Sequence, residues 1–584
     1  MHLLAAFLLT AVIAGGLAGL GEVLGGRSAA DRWVRGWAVA WWVIALTAQL
    51  WSPRAAVGAG WLVLAIGLAA AARVGWANLG AIVAFGGGLA VAAPLWMLPP
   101  YFYDALVYHL GLPWSWLANG SFATVPHNLF SHFPLAGQTV FLLPVAAGVP
   151  EAAAGLHWTT FLVALTALAR LARSLGAGRR SWVAPALLLG CSHAVWVSTV
   201  AAVDMLVVVA VLAIAGHVVT CGERRGSRAV GAGCGVGLAL SLKYTALAPA
   251  AAVVLAGAAA FPGAMAGAAA AGAVTSSFWW VRNLMTTGNP AFPLLWSVFG
   301  GRGWTAADDG RYAALVREGV AGLPGTLHGL AHLVRPPEGL GWWVLAALPL
   351  VVLALAARGE TRGARARLAT ASALMLGAWL LTSQTTRYAL PLAALVAVLA
   401  AAGLGELGRG AAGAAAAALG IAVLHGLLGL SGFLFGTLGV GRAWADPERW
   451  RHRVTVNDPL PAYRACDREL PADARILIVA EGRSWGCPRP HHASSAYDRQ
   501  LVEDVVERSV TARDAWLEMR AGAFTHLLVN RGEAGRLGGP EYRVLRWPSR
   551  EAAERWRELV ERFTLPVLEV DGVEVRALAA AGLR

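Results

Sequence analysis

The chain has 584 residues, of which 57% are hydrophobic and only 14% charged, and its mean hydropathy is +0.57. This composition excludes a soluble globular protein and predicts an all-α polytopic membrane bundle. Residues 1–445 hold 25 Lys and Arg against 12 Asp and Glu, whereas residues 446–584 hold 22 of each sign; the polar C-terminal part has no basic excess, which argues against nucleic-acid binding.

Apolar stretches of span length recur along the first three quarters of the chain. At the N-terminus an uncleaved first span is favoured over a signal peptide. We expect roughly 11 to 15 spans in total. The apolar segment 134–148 is predicted to be a re-entrant or interfacial helix. The expected spans cover residues 3–21, 35–51, 57–73, 79–98, 150–172, 182–199, 203–220, 229–242, 244–260, 263–280, 341–357, 368–383, 388–405 and 411–437.

Arginine clusters predict the orientation of these spans. Four separate loops carry them, and all four fall on one side, which the positive-inside rule makes cytoplasmic. The loop 99–133, called the Asp104 loop below, the loop 281–340 and the tail 440–584 then face the extracytoplasmic side. The clusters are Arg27, Arg32 and Arg35; Arg170, Arg173, Arg179 and Arg180; Arg224, Arg225 and Arg228; and Arg358, Arg362, Arg365 and Arg367.

The predicted spans and loops divide the chain into four parts. Residues 1–98 are N-terminal spans, and residues 99–149 form the first large extracytoplasmic loop with a candidate catalytic Asp. Residues 150–439 complete the bundle and include the outer loop 281–340. Residues 440–584 form a small soluble α/β domain.

The predicted C-terminal domain contains two cysteines and local signals for strands, helices and a hairpin. Its Cys466 and Cys487 either form an extracytoplasmic disulfide or stay free thiols. Short apolar runs predict strands, and a turn signal predicts a closing hairpin. Strands are expected at 476–479 and 527–529, helices at 512–521 and 551–563, and the hairpin at 567–578.

Two acidic residues are candidates for chemistry. Asp104 is the first acidic residue after Asp31 and lies in the aromatic segment 101–109. A carboxylate at a membrane surface among rings is costly to desolvate, which favours a functional role. Asp204 begins an apolar stretch on the same predicted side. The pair could share a metal, or a proton and an acceptor; Asp204 suits a helix N-cap equally well.

Three basic residues are candidates for binding phosphate. Lys243 is the only lysine among 47 basic residues, which indicates a need for a compact ammonium rather than a guanidinium fork. The alternative is a lysine at a span end whose ammonium extends to water. Arg282 and Arg387 lie at predicted outer span ends, where each suits a phosphate through paired donors. The alternatives for both are a headgroup contact or a salt bridge.

Three histidines, His109, His127 and His132, share the outer loop with Asp104. They could bind a metal or an acceptor, but each alone is better explained by structural hydrogen bonding. The acidic and basic candidates together suit a lipid-linked phosphate. The basic set would stabilise the charge on the leaving phosphate, and a carboxylate would take the proton from an attacking hydroxyl.

Five segments carry a family resemblance: 103–120 (YDALVYHLGLPWSWLANG), 203–204 (VD), 241–245 (SLKYT), 280–293 (WVRNLMTTGNPAFP) and 387–391 (RYALP). In this order they resemble the GT-C superfamily of polytopic glycosyltransferases, which use polyprenyl-phosphate-linked sugars. The resemblance is nearest to the bacterial aminoarabinose and mannosyl transferase-like group, the glycosyltransferase 39 and Rgt-like families. No segment alone is a strict signature, but the ordered set is fairly specific.

The resemblance implies roles for individual residues. Asp104 matches the acidic residue of the first large outer loop, taken as the catalytic base, and Asp204 matches a second outer acidic residue. Lys243 matches a basic residue implicated in binding the carrier phosphate. The predicted phosphate- and substrate-binding set is completed by Arg282, Arg387, Tyr108 and His109.

Two departures from the family pattern limit what the resemblance implies. Many relatives carry a paired acidic motif in the first loop, whereas here Tyr103 precedes a single Asp. No cofactor is therefore certain, and a divalent metal stays open. About three additional spans precede the loop, which leaves the role of the N-terminus open.

The expected function is transfer, with inversion, of a sugar from a polyprenyl-phosphate carrier to an extracytoplasmic acceptor. The acceptor is a lipid, a glycan or a protein, and the expected location is the inner or plasma membrane. A transporter or flippase for an anionic or lipid-linked solute is the main alternative; it predicts charges near mid-membrane and two related halves. A membrane assembly factor, the second alternative, predicts that Asp104 and Lys243 lie far apart.

Overall fold

A computed structural model describes residues 2–74, 79–220, 224–316, 322–540 and 542–580. Five helices in these ranges are long and apolar enough to cross a membrane, and four more are apolar but shorter. The chain is thus a multi-pass α-helical membrane protein with a small C-terminal sheet. Other expected spans coincide with helices that are shorter or less apolar. The five are His2–Val23, Pro53–Arg73, Glu151–Leu189, Thr386–Gly405 and Arg409–Thr437.

The N-terminal third is a set of long helices followed by the Asp104 loop, which contains short helical turns. The apolar segment expected at 134–148 is an α-helix. The elements are His2–Val23, Ala29–Leu50, Pro53–Val74, Leu79–Val91, Ala93–Trp96, the π-helical turn Ala105–His109, Gly111–Asn119, the 3₁₀ turn Leu129–His132, and Ala136–Ala146.

The remaining bundle alternates long helices with short turns that redirect the chain. Its elements are Glu151–Ala172, Arg173–Ala177, Gly178–Trp182, Val183–Leu189, Ser192–Ser198, Asp204–Val219, Arg225–Leu242, Tyr244–Ala246, Leu247–Ala258, Pro262–Thr287, Trp296–Phe299, Ala306–Val316, Gly322–Val334, Trp343–Ala356, Arg362–Leu381, Thr386–Ala389, Leu390–Gly405, Arg409–Ser431, Gly432–Thr437, Val440–Ala443 and Pro447–Val454.

Glycines allow the first and third helices to pack backbone against backbone. A Cβ added at Gly19 would lie 1.9 Å from the carbonyl oxygen of Gly67, and one added at Gly67 would lie 2.0 Å from that of Gly16. Small residues at such crossings are typical of membrane bundles, where close packing replaces the hydrophobic effect.

The C-terminal domain contains one five-stranded sheet. Its strands are β1 Ile476–Val479, β2 His491–Ala493, β3 His526–Asn530, β4 Thr564–Val570 and β5 Val573–Leu578, and their order in the sheet is β2-β1-β3-β5-β4. β1 pairs in parallel with β2 and β3, and β5 pairs antiparallel with β3 and β4. The predicted strands, helices and hairpin are confirmed; the three-residue strand β2 was not predicted. The helices of the domain are Leu460–Glu469, Leu501–Arg508, Ala512–Ala521, Arg531–Leu537 and Arg550–Phe563.

Both faces of this sheet are covered, because consecutive side chains of a strand point to opposite faces. Leu477 and Val479 belong to one apolar cluster, and Ile476 and Ile478 to another. Cys466 is buried in the second cluster together with Cys487. Both thiols are free, so the disulfide alternative is not realised in this structure.

The carboxyl ends of the parallel strands face the Asp104 loop. The amide of Trp485, which follows β1, donates to the Leu106 carbonyl at 3.3 Å. The amide of Ser495, which follows β2, donates to the His127 carbonyl at 2.9 Å. The sheet edge where α/β domains commonly bind ligands is here joined to the membrane bundle.

Candidate active site

Asp104 immediately precedes a π-helical turn, Ala105–His109. The amide of Leu110 donates to the Ala105 carbonyl at 2.8 Å, five residues back. Such turns are rare and concentrate at functional sites. The turn brings the Tyr108 hydroxyl to the Asp104 carboxylate, where it donates to Oδ2 at 3.0 Å. Gly111 follows because a Cβ there would lie 2.4 Å from the Leu106 carbonyl oxygen.

Asp104 forms an ion pair with Arg387. Nη1 of Arg387 lies 2.6 Å from Oδ2 of Asp104, and both side chains are mostly buried. Burial acts to raise the pKa of Asp104, but the Arg387 guanidinium, with smaller help from Lys243, holds it below its ordinary value. The carboxylate is therefore ionised at neutral pH and available as a proton acceptor.

Lys243 forms a second ion pair with Asp204. The ammonium lies 2.9 Å from Oδ1 of Asp204, and both side chains are mostly buried. Lys243 directly follows the helix Arg225–Leu242, and Asp204 is the first residue of the preceding helix, Asp204–Val219. The Met205 amide at that helix end donates to His157 Nε2 at 2.9 Å. The Asp204 carboxylate is thus paired with the Lys243 ammonium, and His157 accepts the hydrogen bond of the Met205 amide.

Tyr388 joins the two ion pairs. Its ring centroid is 5.5 Å from Lys243 Nζ and also 5.5 Å from Cζ of Arg387. Both distances are within the range of cation–π attraction. We call this group the ion-pair cluster: Asp104, Arg387, Tyr388, Lys243 and Asp204. Lys243 and Arg387, the partner of Asp104, thus contact the same ring. Asp104 and Lys243 belong to one cluster, unlike what the assembly-factor alternative predicts.

Several buried polar atoms of the cluster have no hydrogen-bond partner among the described residues. They are Nε of Arg387, Oδ2 of Asp204 and Nε2 of the neighbouring His109. Nδ1 of His109 accepts a hydrogen bond from the Gln138 side-chain amide at 2.8 Å. Burial lowers the pKa of His109 well below its ordinary value. Nε2 of the neutral ring therefore carries the proton. Buried unpaired donors and acceptors are costly, so they point to a polar ligand.

Arg282 lies outside these contacts. Its Nη2 donates to the Phe122 carbonyl at 2.9 Å and its Nη1 to the Ser131 carbonyl at 3.3 Å. The guanidinium also lies 4.9 Å from the Phe122 ring. Arg282 thus binds two backbone carbonyls of the Asp104 loop. Its phosphate-binding role stays a prediction.

Of the other loop histidines, His127 has a polar partner, whereas the buried Nδ1 of His132 has no hydrogen-bond partner among the described residues. His127 Nε2 lies 3.3 Å from the Asp504 carboxylate in the C-terminal domain. Burial, reinforced by the Arg282 charge, lowers the pKa of His132 to about 3. Among the described residues, no group of three or more His, Cys, Asp and Glu side chains is arranged to hold a metal ion.

A small cavity of about 20 Å³ borders the Asp104 loop. Phe102 and Ala105 line it from the loop, and Ala154 and Val200 line it from the bundle. Its wall is mostly apolar, and its volume is that of about one water molecule.

Sequence patterns located four of the five cluster residues but missed Tyr388, Gln138 and His157. Tyr388 lies within the RYALP segment, so its position beside Arg387 was a usable signal. Gln138 and His157 lie in apolar helices, and only the fold brings them to His109 and to the start of the Asp204 helix.

Comparisons with known proteins agree with this architecture. No family model and no curated protein matches the chain. The structure is similar to ArnT from Cupriavidus metallidurans in the apo state, with a TM-score of 0.57 and 14% identity. It is also similar to ArnT bound to undecaprenyl phosphate, with a TM-score of 0.55 and 11% identity. Each match covers 86% of this chain and 99% of ArnT. The chain therefore has the fold of ArnT, a multi-pass membrane fold of the kind that the sequence resemblance implied.

Proposed function

We propose that the protein is an integral-membrane inverting glycosyltransferase. It moves a sugar from a polyprenyl-phosphate carrier to an acceptor on the extracytoplasmic face of the cell membrane. The ion-pair cluster is the observation that carries the proposal: two carboxylates and two cations meet around Tyr388. The fold it shares with ArnT, which binds undecaprenyl phosphate, supports the choice of carrier.

The two cations suit the carrier phosphate. Arg387 offers a fork of donors, of which Nε is unpaired, and Lys243 offers a compact ammonium. A bound phosphate competes with Asp104 for the Arg387 guanidinium and so releases the carboxylate. The cations also stabilise the negative charge that appears on the phosphate as the bond to the sugar breaks.

Asp104 then acts as the general base. It accepts the proton of the acceptor hydroxyl while that oxygen bonds to the anomeric carbon from the face opposite the phosphate. The bond between the anomeric carbon and the phosphate oxygen breaks, and polyprenyl phosphate leaves with both electrons of that bond. Asp204 orients Lys243, and His109 offers its Nε2 proton to the substrate. The Tyr108 hydroxyl, whose proton goes to Asp104, can accept a hydrogen bond from the substrate.

Transfer from radiolabelled polyprenyl-phosphate sugars tests this function. The purified protein, reconstituted in nanodiscs, is given each donor together with a membrane extract as acceptor. Asp104→Asn should abolish transfer while the protein remains folded. The matched control is Glu554→Gln, which removes an exposed carboxylate of the C-terminal domain. Retained turnover by Asp104→Asn would sink the proposal.

The same material separates transfer from transport. Release of free polyprenyl phosphate together with labelled acceptor supports a transferase. Movement of intact lipid-linked sugar between the leaflets of proteoliposomes, with no release of polyprenyl phosphate, would instead establish the transporter or flippase alternative.

A further inference from the structure

The Asp104 turn is held on both sides by the C-terminal part of the chain. Before the turn, Nε of Arg451 donates to the Pro100 carbonyl at 2.7 Å. After the turn, the Trp485 amide donates to the Leu106 carbonyl. The backbone of the turn therefore has partners that belong to a sequence region more than 340 residues away.

The helix that follows the turn is attached to the same surface. Nε1 of Trp114 donates to the Cys487 carbonyl at 2.6 Å. The Ser115 hydroxyl lies 2.7 Å from Nε2 of His491 and 3.1 Å from the Ser484 hydroxyl. These side-chain contacts hold the helix after the turn, Gly111–Asn119, against β2 and the loop that follows β1.

Tyr103, the residue directly before Asp104, receives the most specific of these contacts. Its ring centroid lies 5.5 Å from Cζ of Arg483 and 5.5 Å from Cζ of Arg536. Two guanidinium groups at such distances from one ring restrict its position through cation–π attraction.

Both arginines are themselves fixed by buried carboxylates. Arg483 pairs with Glu481 through contacts of 2.6 and 2.8 Å, and the Glu481 side chain is fully buried. Arg536 pairs with Glu533 at 2.5 Å. Asn530, at the end of β3, donates to Glu481 at 2.8 Å.

This network lies at the carboxyl ends of β1 and β3, the edge where an α/β sheet commonly receives a ligand. Here Arg483 also donates to the carbonyls of Val456 and Asn457 at 2.7 and 2.8 Å. The arginine is therefore oriented before it meets Tyr103, which makes the edge a rigid support for the membrane loop.

We propose that the C-terminal domain positions Asp104 through Tyr103, whose ring is held by Arg483 and Arg536 so that the carboxylate meets Arg387 and the acceptor hydroxyl. Tyr103 is on this view a positioning residue. The inference rests on the proposed function of Asp104 as the base, and it assigns the C-terminal domain a part in the chemistry.

The test compares Tyr103→Leu with Tyr103→Phe in the reconstituted full chain. Leucine removes the ring and should lower kcat by about 10- to 100-fold, as a small misplacement of a catalytic group does. The KM for the polyprenyl-phosphate sugar should change little. Phenylalanine keeps the ring, so it should restore most of the lost kcat.

The pH profile is the readout that a general loss of structure would not move. Asp104 is held ionised by Arg387, so a displaced carboxylate regains a higher pKa. The acid limb of kcat/KM against pH, which reports the free enzyme, should therefore shift to higher pH in Tyr103→Leu and stay in place in Tyr103→Phe.

Arg536→Ala is the second variant if Tyr103→Leu does not fold. The Arg536 side chain is 41% exposed, and Glu533 keeps Asn457 as a partner at 3.1 Å. Its expected effects are the same as for Tyr103→Leu but smaller. Arg550→Ala, which removes an 88% exposed arginine from the same domain, should change neither kcat nor the pH profile.

The outcomes separate two failures. If Asp104→Asn keeps its turnover, the proposed function fails. If Asp104→Asn is inactive while folded Tyr103→Leu or Arg536→Ala has the wild-type kcat and pH profile, only the positioning role is overturned. An equal loss in Tyr103→Phe and Tyr103→Leu would overturn the role of the ring.

Discussion

Asp104 and Arg387 are 283 residues apart in the sequence, yet their side chains meet at 2.6 Å. Asp104 comes from the loop before a π-helical turn, and Arg387 comes from the 3₁₀ turn that starts the helix Leu390–Gly405. The contact therefore ties a loop to a helix end. It also makes the state of the proposed base depend on the proposed phosphate ligand.

Arg387→Gln should lower kcat/KM by about 10²–10³-fold, because it removes one donor group for the departing phosphate. It should also shift the acid limb of the pH profile to higher pH. The sign follows from Asp104: burial raises its pKa and Arg387 opposes this, so loss of the guanidinium leaves the raising effect alone. Steady-state transfer between pH 4 and 8 measures both changes.

Arg387→Lys is the matched comparison for that prediction. It keeps the positive charge near Asp104 but loses the paired donors of the fork. The acid limb should stay close to that of the wild type while kcat/KM still falls. A limb that moves equally in both variants would contradict the assignment of the shift to the Arg387 charge.

Lys243→Met should destabilise the folded protein by about 3–5 kcal/mol, because it leaves the Asp204 carboxylate buried without its cation. Asp204 is 3% exposed and its second oxygen already has no partner among the described residues. Thermal unfolding in detergent, followed by tryptophan fluorescence, measures the loss.

The double variant Lys243→Met with Asp204→Asn should recover most of that stability but none of the transfer activity. The recovery is expected because both charges are then absent. If the double variant is as unstable as Lys243→Met alone, the ion pair is not the cause of the loss.

Sequence patterns predicted the candidates of the cluster because each breaks a local rule. Asp104 is an acidic residue among aromatic ones, Lys243 is the single lysine, and Arg387 is an isolated arginine at a predicted outer end. The pairing of acid with base could not be predicted, since it depends on how helix ends meet. Arg282 obeys the same local pattern as Arg387, but its donors bind loop carbonyls.

In the C-terminal domain, too, elements with a local sequence signal could be predicted and long-range contacts could not. Its apolar runs and the Asp571-Gly572 turn predicted four of the five strands, since local periodicity and turn chemistry determine them. β2 is three residues long and contains two histidines, so no apolar run marks it. The buried pair of Glu481 and Arg483 follows β1 in a segment that reads as a polar loop.

Gly67→Ala should destabilise the bundle by about 1–3 kcal/mol, because the added methyl group meets the backbone of the first helix. The Cβ would lie 2.0 Å from the Gly16 carbonyl oxygen, and backbone cannot move aside as a side chain does. Gly58→Ala, in the same helix, meets no atom within 4 Å and should be neutral or slightly stabilising. Equal melting temperatures for the two variants would contradict this packing.

The titration of Asp498 should make the stability of the folded protein depend on pH. Asp498 lies at the contact between the C-terminal domain and the Asp104 loop. Its carboxylate accepts hydrogen bonds from the Leu129 amide, at 2.8 Å, and from the Ser495 hydroxyl. Burial raises the pKa of Asp498 from 3.8 to about 6 despite these two donors. Between those values the folded state binds more protons than the unfolded state, so this residue's contribution to stability falls as pH rises.

The predicted loss is about 1–3 kcal/mol between pH 4 and 6. Asp498→Asn should remove it, because an amide accepts the same two hydrogen bonds without titrating. Unfolding by denaturant at a series of pH values, in both proteins, isolates the contribution as the difference between two curves. Parallel curves over this range would mean that Asp498 has an ordinary pKa in the folded protein. In that case the contact with the Asp104 loop would be solvated, and the loop would be held less rigidly than the buried hydrogen bonds indicate.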